Sequence, residues 1–112
     1  ILKFYNLYLD ENLKVKEIIV HPRKGMSLQK HLHRNELWLI SKGKCLVNFS
    51  KDSPTETEEV KLNKHDIFEI KATNWHQIVN PYEEECKIIE IQFGERTDEN
   101  DIERYSYYEL NE

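Results

Sequence analysis

The chain has 112 residues, 38% of them hydrophobic and 33% charged, and carries a formal net charge of −5. That length predicts one domain, residues 1–112, with a single modest core. The negative charge argues against nucleic acid or an anionic membrane as main partner, and no apolar run approaches the ~20 residues of a membrane span.

Short runs of β-branched and aromatic residues dominate the chain from its first residues. "KFYNLYL" (3–9) and "LKVKEIIV" (13–20) read as two strands joined by an Asp-Glu-Asn turn. No basic-then-apolar leader is visible after Ile1. "HPRKG" (21–25) has turn chemistry, and "SLQKHLH" (27–33) and "ELWLIS" (36–41) follow as strands. After the "SKGK" turn comes "KCLVNFS" (44–50), and the polar "KDSPTETEE" (51–59) with Pro54 reads as a solvated loop. "EEVKL" (58–62), "DIFEI" (66–70), "HQIVN" (76–80) and "CKIIEIQF" (86–93) complete about nine strands. Cys45 and Cys86 lie far apart with no CxxC spacing, so two reduced, buried thiols and a cytoplasmic protein are expected. In "TDENDIERYSYYEL" (97–110), Asp98 or Asn100 predicts a brief helical turn, and the tyrosines predict an extended tail packed on the barrel. Regularly spaced short strands without an amphipathic helix predict an all-β sandwich or barrel.

Alternation along residues 27–33 puts Ser27, Gln29, His31 and His33 on one strand face. Such a row suits neither a core nor a solvent face, but imidazole, amide and carboxylate groups suit one divalent Zn, Mn, Co, Ni or Fe ion. For an isolated His-x-His the plain reading is two hydrogen-bonded histidines on a half-exposed strand. Gln29, Glu36 and the distant His76 favour a metal instead. In "KIIEIQF", Glu90 and Gln92 share one face, and alternation alone leaves open whether that face is interior or solvated.

Gly25, "HLH", Glu36 and Gly43 resemble the first motif of the cupins, G(X)5HXH(X)3,4E(X)6G, and "HDIFEIKATNWHQIVN" (65–80) resembles the second. There His76 and Asn80 stand in register, while His65, Lys71 and Thr73 replace the motif's glycine, proline and glycine. Two residues separate His33 from Glu36 where the motif has three or four. Counting back from Glu36 selects Gln29 and His31; counting forward from Gly25 selects His31 and His33, the frame given slightly more weight. The resemblance implies an all-β cupin barrel with metal ligands His31, His33 or Gln29, Glu36 and His76.

A narrower family is also similar. "SLQKHLHRNELW" (27–38) resembles the SLQxHxHRxExW signature of type II mannose-6-phosphate isomerase domains, which usually close a bifunctional enzyme that begins with a mannose-1-phosphate guanylyltransferase. "VKEIIVHPRKGMSLQ" (15–29), "IIEIQFGE" (88–95) and "DENDIER" (98–104) continue the likeness. The family's lead-in proline-glycine is replaced by "RKG", and its closing DxYGR by "YYELNE" (107–112). None of the three glycines forms a phosphate loop, so these residues hold no nucleotidyltransferase site.

This resemblance implies aldose–ketose isomerisation of a sugar phosphate through a cis-enediol, with Glu90 moving the proton and Glu69 as a weaker candidate. Arg34 and Lys16 are expected at the reacting and phosphate groups, with Gln92, Trp75 and Arg104 binding substrate. Simple alternation turns Arg34 away from His33, so its place in the site requires a bend near residue 34. Two alternatives stand beside the isomerase: a non-catalytic sugar-binding or regulatory cupin, and a different metal-dependent cupin such as an iron dioxygenase. Small cupins commonly pair through a sheet edge or an exchanged strand, so "ILKFYNLYL" (1–9) predicts a homodimer.

Overall fold

A computed structural model describes residues 2–108 as two antiparallel sheets facing one another around one core. The strands are β1 (Leu2–Leu9), β2 (Leu13–Val20), β3 (Lys24–Gly25), β4 (Leu28–Lys30), β5 (Arg34–Lys42) and β6 (Cys45–Ser50). They continue with β7 (Glu58–Leu62), β8 (Ile67–Ile70), β9 (Trp75–Asn80), β10 (Cys86–Gly94) and β11 (Glu103–Ser106). One sheet runs β1-β2-β10-β5-β8; the other runs β11-β4-β9-β6-β7, with β3 paired to β9. This is the all-β barrel that the cupin resemblance implied. Ile1 and residues 109–112, the "ELNE" end of "YYELNE", lie outside the described residues.

The inward-facing positions change character along the barrel. At one end Val20, Ile40, Val47, Ile78, Cys86 and Ile88 are fully buried. Ile88 stands between Ile18 on β2 and Ile40 on β5, and Cys86 stands opposite Val20. Burying each isoleucine contributes roughly 2 kcal/mol. The same residues fix the register, because a one-residue slip would turn all of them to solvent. Two residues further along β10, Glu90 takes the inward position between Lys16 and Trp38. Two more bring Gln92 between Lys14 and Glu36. On the second sheet His76 follows Ile78 inward and pairs with Gln29 on β4. One alternation therefore builds an apolar core and delivers polar groups to the opposite end. Both cysteines are free and lie in the apolar half.

Backbone conformation at three turns departs from what their side chains prefer. Arg23, His65 and Thr73 have φ of 62°, 75° and 75°. His65 and Thr73 occupy the two positions where the second cupin motif carries glycine, so the left-handed backbone persists although the glycine is gone. A true glycine is needed at Gly94, where φ is 146° and an added Cβ would come within 2.6 Å of the His33 carbonyl oxygen.

Two expectations are corrected. The strand predicted over 27–33 stops at Lys30, and the predicted helical turn near 98–101 is a plain turn with no helix among the described residues. Both changes have one cause. The carboxylate of Asp101 accepts hydrogen bonds from the backbone N–H of Leu32 and of His33, each at 2.8 Å. These contacts break the β4 ladder and draw the later segment across it, where β11 pairs with β4.

Candidate functional site

The polar end of the barrel opens into a cavity of about 1040 Å³, on whose wall stand Gln29, His31, Arg34, Glu36, His76 and Glu90. Three of these converge: one nitrogen each from His31 and His76 and one oxygen of Glu36 lie within 4.8 Å of one another, and all three residues are buried. Nε2 of His31 is 3.1 Å, and Nε2 of His76 is 3.8 Å, from Oε2 of Glu36.

The opposite ring nitrogens explain why these atoms meet. His31 Nδ1 lies 2.6 Å from the Asp101 carbonyl oxygen and His76 Nδ1 lies 3.0 Å from the Asn74 carbonyl oxygen. A carbonyl only accepts, so each Nδ1 carries the proton and each Nε2 presents a lone pair. Two lone pairs and a carboxylate aimed at one point make a position suited to a cation. Two imidazole nitrogens and a carboxylate, each oriented from behind, fit a divalent ion of the kind expected.

Arg34 sits at this point. Its guanidinium is 3.0 Å from His31 Nε2, and its Nε and Nη2 are each 3.2 Å from Glu36 Oε2. The bend predicted as the condition for Arg34 exists: the turn at Leu32 and His33 reverses the alternation and buries Arg34. The same turn overturns the expectation for His33. It is about one-third exposed, 3.6 Å from Glu95, and outside the cavity. Gln29 does line the cavity, so the geometry matches the frame counted back from Glu36. Its amide nitrogen is held at 3.3 Å by Ser27.

The two buried carboxyl groups are shifted in opposite directions. Burial opposes ionisation of Glu36, but the neighbouring His31, His76 and Arg34 outweigh it and hold the carboxyl well below the usual range. Burial, then the negative charge of Glu36, push Glu90 well above that range. The Trp38 indole N–H spans them, 3.0 Å from Glu36 and 3.3 Å from Glu90, while Gln92 donates to Glu90 at 2.6 Å. Glu90 thus lies on the interior face that the sequence alone left open. Burial lowers His76 as well, against the pull of Glu36.

The remaining expected residues divide. Lys16, Gln92 and Arg104 line the cavity. Gln92 Oε1 is buried without a hydrogen-bond partner. Lys16 Nζ is 2.7 Å from the Glu99 carboxylate. Trp75 does not line the cavity. As the neighbour of inward His76 it faces the other way, under Lys30 at 4.9 Å and against Tyr105. Glu69 is exposed. Trp38 is buried and its indole N–H reaches both carboxyls.

Sequence reasoning missed Asp101, Glu99, Phe4, Tyr107 and Tyr108, the last four on the cavity wall. The "DENDIER" block contains the two acids, but nothing local shows that Asp101 reaches residues 31–33. Tyr107 and Tyr108 stand where the resembled family ends in DxYGR. Gly25 makes room there, since a Cβ on it would come within 2.9 Å of the Tyr108 ring.

Residues 3–107 match the family model described as "Mannose-6-phosphate isomerase C-terminal". The chain is 32% identical over 109 residues to "Mannose-1-phosphate guanylyltransferase 2" of Escherichia coli O157:H7, covering 94% of this chain and 21% of that protein. It is 33% identical over 91 residues to "Alginate biosynthesis protein AlgA" of Pseudomonas aeruginosa, covering 81% of this chain and 18% of that protein. The chain therefore spans about a fifth of the length of these curated relatives. Among solved structures, the Schizosaccharomyces pombe Cnp3 cupin domain superposes with a TM-score of 0.74 at 17% identity, covering 84% of this chain and 65% of that one. A double-stranded β-helix protein from Klebsiella pneumoniae superposes with a TM-score of 0.76 at 14% identity, covering 94% of this chain and 84% of that one. These two likenesses concern the fold alone.

Proposed function

The chain belongs to the mannose-6-phosphate isomerase C-terminal family, and from that membership we propose that its cavity binds a sugar phosphate and interconverts the aldose and ketose forms. The observation that carries the reading is the pair of buried carboxyls, Glu36 held well below the usual carboxylate range beside two imidazoles and Glu90 pushed well above it. His31, Glu36 and His76, with Gln29 at the same wall, would hold a divalent ion, which when bound would supply Lewis-acid polarisation of a sugar oxygen.

The chain's own residues do the rest. Isomerisation moves a proton between C1 and C2 through a cis-enediol, and a carboxyl raised by burial both takes and returns it. Glu90 has that character, and Gln92 fixes its orientation from 2.6 Å. The unpartnered Gln92 Oε1 accepts from a sugar hydroxyl. Lys16, Arg104 and Arg34 surround the phosphate with charge, Arg34 offering a planar fork. Phe4, Tyr107 and Tyr108 close the mouth with aromatic surface.

A sugar-phosphate binding module without turnover is the second reading, favoured by Tyr107 and Tyr108 in place of the family's closing motif. A homodimer formed through β1 belongs to the proposal, as does a cytoplasmic location, which the two free buried thiols support. The deciding test is NMR of metal-reconstituted protein with mannose 6-phosphate. It follows fructose 6-phosphate formation and exchange of the C2 proton with deuterated solvent, with a His31→Ala/His76→Ala variant as control. Turnover that disappears in the variant supports the isomerase. Binding without turnover or exchange across several divalent metals selects the module.

A further inference from the structure

We infer that Arg34 and a divalent ion compete for the same two atoms, and that an anion entering the cavity resolves the competition in favour of the metal. The inference rests on the metal reading proposed above and adds a coupling between its two ligands.

His31 Nε2 has one lone pair, because Nδ1 carries the proton given to the Asp101 carbonyl. That lone pair faces the Arg34 guanidinium at 3.0 Å. A single lone pair accepts an N–H or binds a metal, not both. Glu36 Oε2, the second of the three convergent atoms, takes Arg34 Nε and Nη2 at 3.2 Å. Metal–nitrogen and metal–oxygen bonds of about 2.0–2.2 Å would leave the ion against the guanidinium, and two cations that close repel strongly in a buried site. A bound ion and the present Arg34 conformation exclude one another.

The cavity gives Arg34 somewhere to go. The residue opens β5, where its backbone pairs with Gly94, and its side chain lines the same cavity as Lys16, Glu99 and Arg104. Rotation about side-chain bonds suffices to turn the guanidinium from Glu36 into that space. There it meets an anion alongside Lys16 and Arg104, and Glu36 keeps its countercharge because the ion replaces the guanidinium. An anion that draws Arg34 outward therefore vacates the metal position. By thermodynamic reciprocity the anion tightens the metal by the factor with which the metal tightens the anion.

The test is Mn(II) binding to the whole chain, read from the electron paramagnetic resonance of the free ion, for wild type and Arg34→Gln, with and without inorganic phosphate. Without phosphate, Arg34→Gln is expected to bind Mn(II) at least about 10-fold tighter, the size of a lost charged hydrogen-bond competitor. Phosphate is expected to tighten wild type by about 5-fold or more and to leave Arg34→Gln nearly unchanged. Comparing both proteins in one phosphate solution removes the effect of phosphate on free Mn(II). Arg34→Lys keeps a buried cation and is expected within about threefold of wild type. Equal or weaker Mn(II) binding by Arg34→Gln, or the same phosphate factor in both proteins, would overturn the inference while leaving the metal reading intact. Failure of every protein to bind Mn(II), Co(II) or Zn(II) would overturn both. Where Arg34→Gln does not fold, the absence of phosphate tightening in wild type is sufficient to reject the coupling.

Discussion

The main-chain carbonyl of Asp101 accepts a 2.6 Å hydrogen bond from Nδ1 of His31, a residue 70 positions earlier in the chain. The Asp101 side chain holds that arrangement by accepting from the Leu32 and His33 amides. Its ionised carboxylate is favoured by those two donors, which overcome the cost of burial and set it below the usual range. Asp101→Ala removes two hydrogen bonds to a charged acceptor and is expected to cost about 2–4 kcal/mol in chemical denaturation. Because the residue orients a ligand from behind, Zn(II) affinity is expected to fall about 10–100-fold. The nitrogen-15 shifts of His31 should then move towards a mixed tautomer while those of His76, held separately by Asn74, stay fixed. Unchanged affinity in a folded variant would show that Asp101 does not position His31.

Glu90→Gln separates chemistry from structure. The substitution keeps the side-chain shape of a carboxyl whose charged form burial disfavours, so thermal stability at neutral pH is expected to hold or rise. If the isomerase reading is right, kcat should drop by about 100-fold or more with KM little changed. In chelator-treated protein the pH dependence has a definite sign. Folded Glu90 titrates above its unfolded value, so the native state binds the extra proton, and stability falls as pH rises from about 4.3 through the raised value. Glu36 acts in the other window: its depressed value contributes stability above about 4.3 that is lost as pH falls towards the lower one. Urea denaturation across pH 4 to 8 should therefore show a decline in wild type that is flattened in Glu90→Gln. Parallel curves would rule out the elevated Glu90.

Where local pattern decides the structure, the sequence was readable. β7 appears at residues 58–62 as expected, and the inward set Cys86, Ile88, Glu90 and Gln92 follows strict alternation. The resembled motifs brought His31, Glu36 and His76 together although 45 residues separate the first from the last, a link no periodicity contains. What could not be read was non-local. His33 leaves the site and Arg34 enters it because Asp101 captures two amides from across the barrel, and no property of "SLQKHLHR" shows that partner. Trp75 was misplaced for a simpler reason, since its neighbour His76 takes the inward position and alternation sends the indole outward.

The left-handed turns offer a stability test. Thr73 is exposed, β-branched and held at φ 75°, with its N–H bonded to the His31 carbonyl at 2.7 Å. Thr73→Gly keeps that N–H and removes the Cβ clash, worth about 1–2 kcal/mol, against a larger entropy loss for glycine. A net gain of up to about 1 kcal/mol is expected, or roughly 4–8 °C in Tm. His65→Gly, at the other motif position and φ 75°, is expected to behave alike. A loss of stability in both would mean that the side chains contribute more than the backbone strain costs.

β1 carries the remaining prediction. Phe4, Tyr5, Leu7, Tyr8 and Leu9 are each about half exposed, and Lys3 is the one charged side chain on the strand. Its outer edge has no partner strand among the described residues. An apolar edge with so little charge is a template for another strand, and antiparallel pairing of β1 with its own copy across a two-fold axis satisfies both edges at once. Sedimentation velocity at micromolar concentration should show a dimer. Leu7→Lys/Leu9→Lys places two charges where neither leucine is buried in the monomer, so the fold should persist while dimer affinity falls at least about 10-fold, the effect of 1.4 kcal/mol. A wild type that sediments as a monomer, or a double variant that dimerises as strongly as wild type, would exclude β1 as the interface.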